Sequence, residues 1–124
     1  VRRLATLLAL RQVFHDPRLV TGERLDEYVA PLRRPGFGPA MLSLLRANAA
    51  VEAQIPRNWA AARVPALVLW GRDDEWIPAG HAERHRAALP ATRVVILERC
   101  GHMPQEEQPA ETLRLLLEFL GDGT

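Results

Sequence analysis

The sequence predicts an α/β chain: a helical front half over residues 1–60, then over residues 61–124 a strand–helix–strand–helix unit whose two strands run parallel. Three observations carry this. Ala66-Leu67-Val68-Leu69-Trp70 and Arg93-Val94-Val95-Ile96-Leu97 are short apolar runs closed by turn residues, the pattern of parallel strands covered on both faces. Between them, Pro78 to Leu89 suits a helix with proline in its first turn. Strand, helix and strand over roughly thirty residues make a βαβ unit.

Each remaining element has its own signal. Leu4, Leu7, Leu8 and Phe14 recur at helical spacing, and Asp16-Pro17 ends that run. Thr21 is placed to cap a second helix, whose Leu25, Tyr28, Val29 and Leu32 form an i, i+3, i+4, i+7 stripe. Arg34-Pro35-Gly36 stops it. A third helix starts near Pro39, with Met41, Leu44 and Leu45 on one side. Residues 54–63, with Pro56 and Trp59, read as a connector. A last helix follows Pro109, with Leu113, Leu116, Leu117 and Leu120 as its buried stripe and Gly121 at its C-terminal end. Two strands alone leave a sheet edge unpaired and the apolar faces half covered. The chain is therefore expected to need further N-terminal strands, or a partner that supplies them, and in isolation to self-associate.

Composition narrows the function classes. The chain has 124 residues, 48% hydrophobic and 25% charged, within reach of one ordinary domain. A net charge of +1 gives no nucleic-acid footprint. All sixteen basic residues are arginines scattered along the chain. No run approaches the roughly 20 apolar residues of a membrane span. The opening Val1-Arg2-Arg3-Leu4 faintly resembles a targeting signal, but its apolar core is short and no cleavage site follows. An amphipathic helix, cut at its front, is the reading adopted. The single cysteine, Cys100, forms no internal disulfide and fits a reducing, cytoplasmic setting.

Chemistry is expected where the βαβ unit opens. Both strands run the same way, so the loops after them share one sheet edge, where α/β proteins place ligands. Asp74 follows the first strand and His102 follows the second. Side chains on those loops can meet across one strand spacing of about 5 Å. A carboxylate on one ring nitrogen fixes the imidazole tautomer and stabilises the imidazolium formed when the other nitrogen accepts a proton.

At Gly71-x-x-Asp74-x-x-x-Pro78 and Gly101-His102-x-Pro104-x-x-Glu107-x-Pro109 the chain resembles the α/β-hydrolase fold family. The two motifs in this order are fairly specific, whereas either alone is weak. Asp16-Pro17-x-Leu19-Val20-Thr21 and Tyr28-x-x-Pro31 are similar to the lid and lid-to-core segment of that family. The resemblance implies a C-terminal fragment of the fold, with residues 1–60 as lid. It implies Asp74, not Asp73, as triad acid, His102 as general base, and Gly101 as the residue that lets the loop approach closely. Pro104, Glu107 and Pro109 then shape the turn into the last helix. No nucleophile elbow and no His-Gly oxyanion motif are present. Both precede the lid in this family, so the expectation is a chain truncated before its nucleophile and silent alone.

Other candidates read more plainly. Cys100 sits at a strand exit, where a buried inert thiol is commoner than a nucleophile. Ser43 reads as a back-bonded serine within a helix. His81 and His85 stand i, i+4, but their acid is out of place for a zinc helix, so they read as solvent-facing. Trp70 and Trp76 flank the Asp loop, and Trp76 either lines a substrate pocket or covers the sheet edge. Arg33 and Arg34 read as solvated cations at a helix end. No metal or organic cofactor is implied. The expected function is an esterase-like or carbon–carbon bond hydrolase acting on a small molecule. The rival is a non-catalytic remnant that binds a protein partner through its sheet edge.

Overall fold

The computed structural model describes residues 2–51, 64–88 and 91–121. The connector read over residues 54–63 and the helix end at Leu89 lie outside the described residues. In chain order come α1 (Arg2–Val13), a one-turn 3₁₀ helix (Pro17–Leu19), α2 (Gly22–Leu32) and α3 (Phe37–Val51). Then follow β1 (Ala66–Gly71), α4 (Gly80–Ala88), β2 (Thr92–Leu97), the single turn α5 (Pro104–Glu107) and α6 (Pro109–Gly121). Among the described residues no helix is long and apolar enough to cross a membrane.

The βαβ unit forms as its apolar runs predict. β1 and β2 pair in parallel, from Ala66 opposite Thr92 to Gly71 opposite Leu97. This register puts both strand ends, and so both following loops, on one edge. The strands are half-buried along their length and close only at Gly71 and Leu97, as a two-stranded sheet must be. α4 starts two residues after Pro78, whose carbonyl accepts the His81 N–H at 2.9 Å.

In the front half, α2 follows its sequence signals. The Thr21 hydroxyl accepts the Arg24 N–H at 3.2 Å, one of the donors a helix start leaves unpaired. Leu25 and Val29 are buried against Leu10, Val13 and Phe14 of the α1 segment. Met103, the neighbour of His102, packs on the same cluster. A second cluster of Leu97, Cys100 and Leu115 lies under the sheet. The histidine loop thus sits between the two cores.

One expectation, the buried leucine stripe of the last helix, needs correction, and two further apolar stripes lie outward in the same way. α1 buries Leu10 and Val13 with Phe14, while Leu4 and Leu8 are exposed. α3 starts at Phe37, before Pro39, and its Met41, Leu44 and Leu45 are exposed. α6 buries Thr112 and Leu115, while Leu113, Leu116, Leu117 and Leu120 point outward. The cause is common to all three. Periodicity identifies the apolar face of a helix, but the face that becomes buried is the one with a neighbour. α6 lies on the sheet through its narrower Thr112–Leu115 side, and nothing among the described residues covers its leucine stripe.

Candidate active site

β1 ends at Gly71 because no other residue fits there. A Cβ on Gly71 would stand 1.9 Å from the Gly101 carbonyl oxygen and 2.3 Å from that of Cys100. The two strand exits can therefore touch. Arg72 N–H donates to the Leu97 carbonyl at 2.8 Å and Asp73 N–H to the Cys100 carbonyl at 2.9 Å, extending the pairing past the strands. Gly101 is constrained in the same way, since its Cβ would stand 2.4 Å from the Val13 carbonyl oxygen. Between β2 and the loop, Arg99 adopts φ 52°, a left-handed turn costly for an L-residue. The Gln108 amide supports that turn by donating to the Glu98 carbonyl at 2.7 Å and the Arg99 carbonyl at 3.2 Å.

On this frame Asp74 and His102 meet. His102 Nδ1 lies 2.8 Å from Asp74 Oδ2. The Asp74 side chain is 3% exposed and that of His102 30%. A carboxylate so buried requires compensation. Asp74 Oδ1 receives it from the N–H groups of Trp76 and Ile77, both at 2.9 Å. Two backbone donors and one ring nitrogen thus hold the acid in a single orientation, and Nδ1 must carry the proton that this hydrogen bond uses. Trp76 is half exposed, and its ring centroid lies 5.7 Å from that of His102 at a tilt of 44°. It packs obliquely on the imidazole. A cavity of about 160 Å³ opens beside the pair, lined by Leu69, Trp70, Ile77 and Pro104 as well as Asp74 and His102. The larger hollow of about 600 Å³ between Pro17 and Arg99 is an open groove among ion-paired side chains, and neither Asp74 nor His102 lines it.

The remaining sequence candidates fall elsewhere. Asp73 pairs with His15, Oδ2 to Nδ1 at 3.1 Å, on an exposed part of the same loop. Cys100 is fully buried, and burial, followed by the charges of Glu107, Asp73 and Asp74, pushes its thiol up to about 12. It carries no thiolate to attack with near neutral pH. Ser43 lies exposed on α3. His81 and His85 are half-buried, contrary to the solvent-facing expectation, because α4 lays them against the sheet; the His85 ring is 5.9 Å from that of Trp70. Trp70 Nε1 donates to the Ile77 carbonyl at 2.9 Å, bracing the Asp loop. Arg33 and Arg34 are exposed, as read. Among the described residues no three His, Cys, Asp or Glu side chains are grouped to hold a metal ion.

Sequence reasoning missed the polar ties that bind the front helices to the histidine loop. His102 N–H donates to the Val13 carbonyl at 2.8 Å. Glu107 accepts N–H groups from Gly101, Met103 and His15. The Tyr28 hydroxyl donates to Glu106, which also pairs with Arg24 at 3.3 Å. Burial first, and then the Glu106 carboxylate, push the Tyr28 phenol up to about 12. The one available signal was the Tyr28 position, a polar tip on an otherwise apolar stripe.

An acid, an imidazole and a cavity meet at the carboxyl ends of the two parallel strands. The model of the alpha/beta hydrolase family matches residues 1–115, so the chain belongs to that family. It is 32% identical over 122 residues to a 2-hydroxy-6-oxo-6-phenylhexa-2,4-dienoate hydrolase of Burkholderia cepacia, covering 97% of this chain and 43% of that one. It is 34% identical over 110 residues to the dihydrolipoyllysine-residue acetyltransferase component of an acetoin cleaving system of Pseudomonas putida, covering 88% and 29%. The solved structure of a meta-cleavage product hydrolase from Pseudomonas fluorescens superposes with a TM-score of 0.87 at 22% identity, over 98% of this chain and 46% of that one, a likeness of fold. The chain spans less than half the length of these relatives.

Proposed function

We propose that this chain carries the acid and base of a nucleophile–His–Asp triad in a hydrolase of small molecules, and that the nucleophile lies outside these 124 residues. The observation that carries the reading is the 2.8 Å contact between His102 Nδ1 and an almost wholly buried Asp74. With Nδ1–H committed to Asp74, Nε2 is left as the acceptor. It takes the nucleophile's proton as that oxygen or sulfur bonds to the electrophilic carbon. It then gives the proton to the leaving group as the scissile bond breaks. Water repeats the sequence on the covalent intermediate, and His102 returns to its starting tautomer. Asp74 remains ionised throughout and stabilises the imidazolium. An ester-like acyl bond is the default substrate class. A carbon–carbon bond next to a carbonyl is the other, supported by the dienoate hydrolase among the relatives. Ile77 lines the cavity where the substrate would sit, and Trp76, which does not line it, packs on the His102 ring. In this reading residues 1–60 form a lid segment, residues 61–124 belong to the hydrolase core, and no cofactor takes part.

The test has two arms. Continuous coding sequence in frame ahead of codon 1 is expected to contain Gly-x-Ser-x-Gly, or an elbow with Asp or Cys in its centre. The 124-residue chain alone is expected to hydrolyse p-nitrophenyl acetate no faster than its His102→Ala variant. Turnover by the chain alone that His102→Ala abolishes would place the nucleophile inside it and overturn the proposal.

The outward leucine stripe of α6 favours a second reading, in which the chain binds a second copy of itself through that face. Sedimentation of the catalytically complete protein discriminates, because the isolated chain is expected to self-associate under either reading. A concentration-dependent oligomer that Leu117→Arg abolishes supports the second reading, and a monomer at every concentration sinks it.

A further inference from the structure

We infer that Glu107 is a positioning residue for His102: its carboxylate fixes the backbone on both sides of the histidine and fastens that loop to the end of α1, so that the imidazole meets Asp74. The inference rests on the Asp74–His102 reading above. Glu107 Oε1 accepts the Gly101 N–H at 2.9 Å and the Met103 N–H at 3.2 Å. Its Oε2 accepts the His15 N–H at 2.8 Å. The N–H of His102 itself donates to the Val13 carbonyl at 2.8 Å. Three consecutive N–H groups, at Gly101, His102 and Met103, are thus all held, and both acceptors engage the segment Val13–His15.

The other backbone ties of the loop, at the Glu98, Arg99 and Cys100 carbonyls, lie ahead of Gly101. It leaves β2 through the left-handed Arg99 and reaches α5 without regular structure. An imidazole swings with its backbone, and a displacement of roughly 1 Å turns a good hydrogen bond into none. The chemistry of the clamp also selects a carboxylate. Three N–H donors need a group that only accepts, whereas a glutamine amide of the same shape would turn N–H toward N–H at one of the two ends. The fit is tight, because a Cβ on Gly101 would stand 3.0 Å from Glu107 Oε1. Glycine before the histidine and glutamate five residues after it therefore form one device.

The test is nuclear magnetic resonance on the isotopically labelled, catalytically complete protein. The His102 Nδ1 proton, hydrogen-bonded to Asp74, is expected as a resonance downfield of the backbone amides. It is expected to vanish in Asp74→Asn. In Glu107→Gln it is expected to fall at least about tenfold in intensity through exchange with water, while the amide resonances of β1 stay in place. A resonance lost in Asp74→Asn but kept at full intensity in Glu107→Gln overturns the positioning role and leaves the dyad standing. Its absence from the unmodified protein overturns the dyad and the positioning role together. Hydrogen exchange on the unmodified protein needs no variant to fold. The amides of His15, Gly101 and Met103 are expected to exchange at least about tenfold more slowly than that of the exposed loop residue Glu75, and equal rates overturn the clamp.

Discussion

Two adjacent acids on one loop each hold a histidine by Nδ1, and the two pairs differ in nearly everything else. Asp74 meets His102 at 2.8 Å and Asp73 meets His15 at 3.1 Å. The Asp74 side chain is 3% exposed, and its second oxygen is taken by two backbone N–H groups. The Asp73 side chain is 42% exposed and the His15 side chain 38%. Pairing alone therefore does not distinguish a candidate catalytic dyad from a surface contact. What distinguishes it is the environment. Water screens the outer pair, so its attraction is worth little. The inner pair sits where a charge is costly to leave unmatched, so the acid can orient an imidazole and answer a proton arriving on it. Both members of the inner pair line the cavity of about 160 Å³, whereas the outer pair gives only His15 to the open groove between Pro17 and Arg99.

The largest way to sharpen the contrast is to remove each histidine from the catalytically complete protein. His102→Ala is expected to lower kcat by about 10⁶-fold, as loss of a triad base does, and His15→Ala by less than about threefold. Equal losses would erase the distinction. A further break point is Cys100, which lies beside the inner pair but is sealed from it. Its thiol, raised to about 12 from an ordinary value near 9, is deprotonated about a thousandfold less at pH 8. Alkylation by iodoacetamide is expected to be slower than that of a free thiol by at least that factor, and fast labelling of the folded chain would contradict the burial.

The frame is tested next. Gly71→Ala forces the strand exits apart and is expected to cost roughly 3 kcal/mol in chemical denaturation, the upper range for overpacking. Denaturation unchanged to within about 0.5 kcal/mol would show that the exits do not touch. Last comes Thr21→Ala, which removes one helix cap and is expected to cost about 1 kcal/mol with kcat unchanged.

Much of this arrangement was legible in the chain. The apolar runs predicted both strands and their parallel pairing, and the order of the loops predicted that Asp74 and His102 share an edge. Thr21 and the Leu25–Val29 stripe predicted α2. Other features left no local trace. The leucines of α6 form a clean stripe, but whether a stripe is covered depends on what stands opposite, which periodicity does not encode. Glu107 and His15 are 92 positions apart, and a side chain that accepts distant backbone N–H groups has no spacing to betray it. His15 belongs to no motif in the sequence. Only the folded contact of Val13–His15 with the histidine loop shows what it does.

The central claim is that the buried acid, and not its exposed neighbour, orients the base. It is tested most directly by the ratio of kcat values for Asp73→Asn and Asp74→Asn, measured on one ester substrate in the catalytically complete protein. The account predicts that Asp73→Asn turns over about 10⁴-fold faster than Asp74→Asn, the cost of setting the wrong tautomer on a triad histidine. A ratio below about threefold would contradict it.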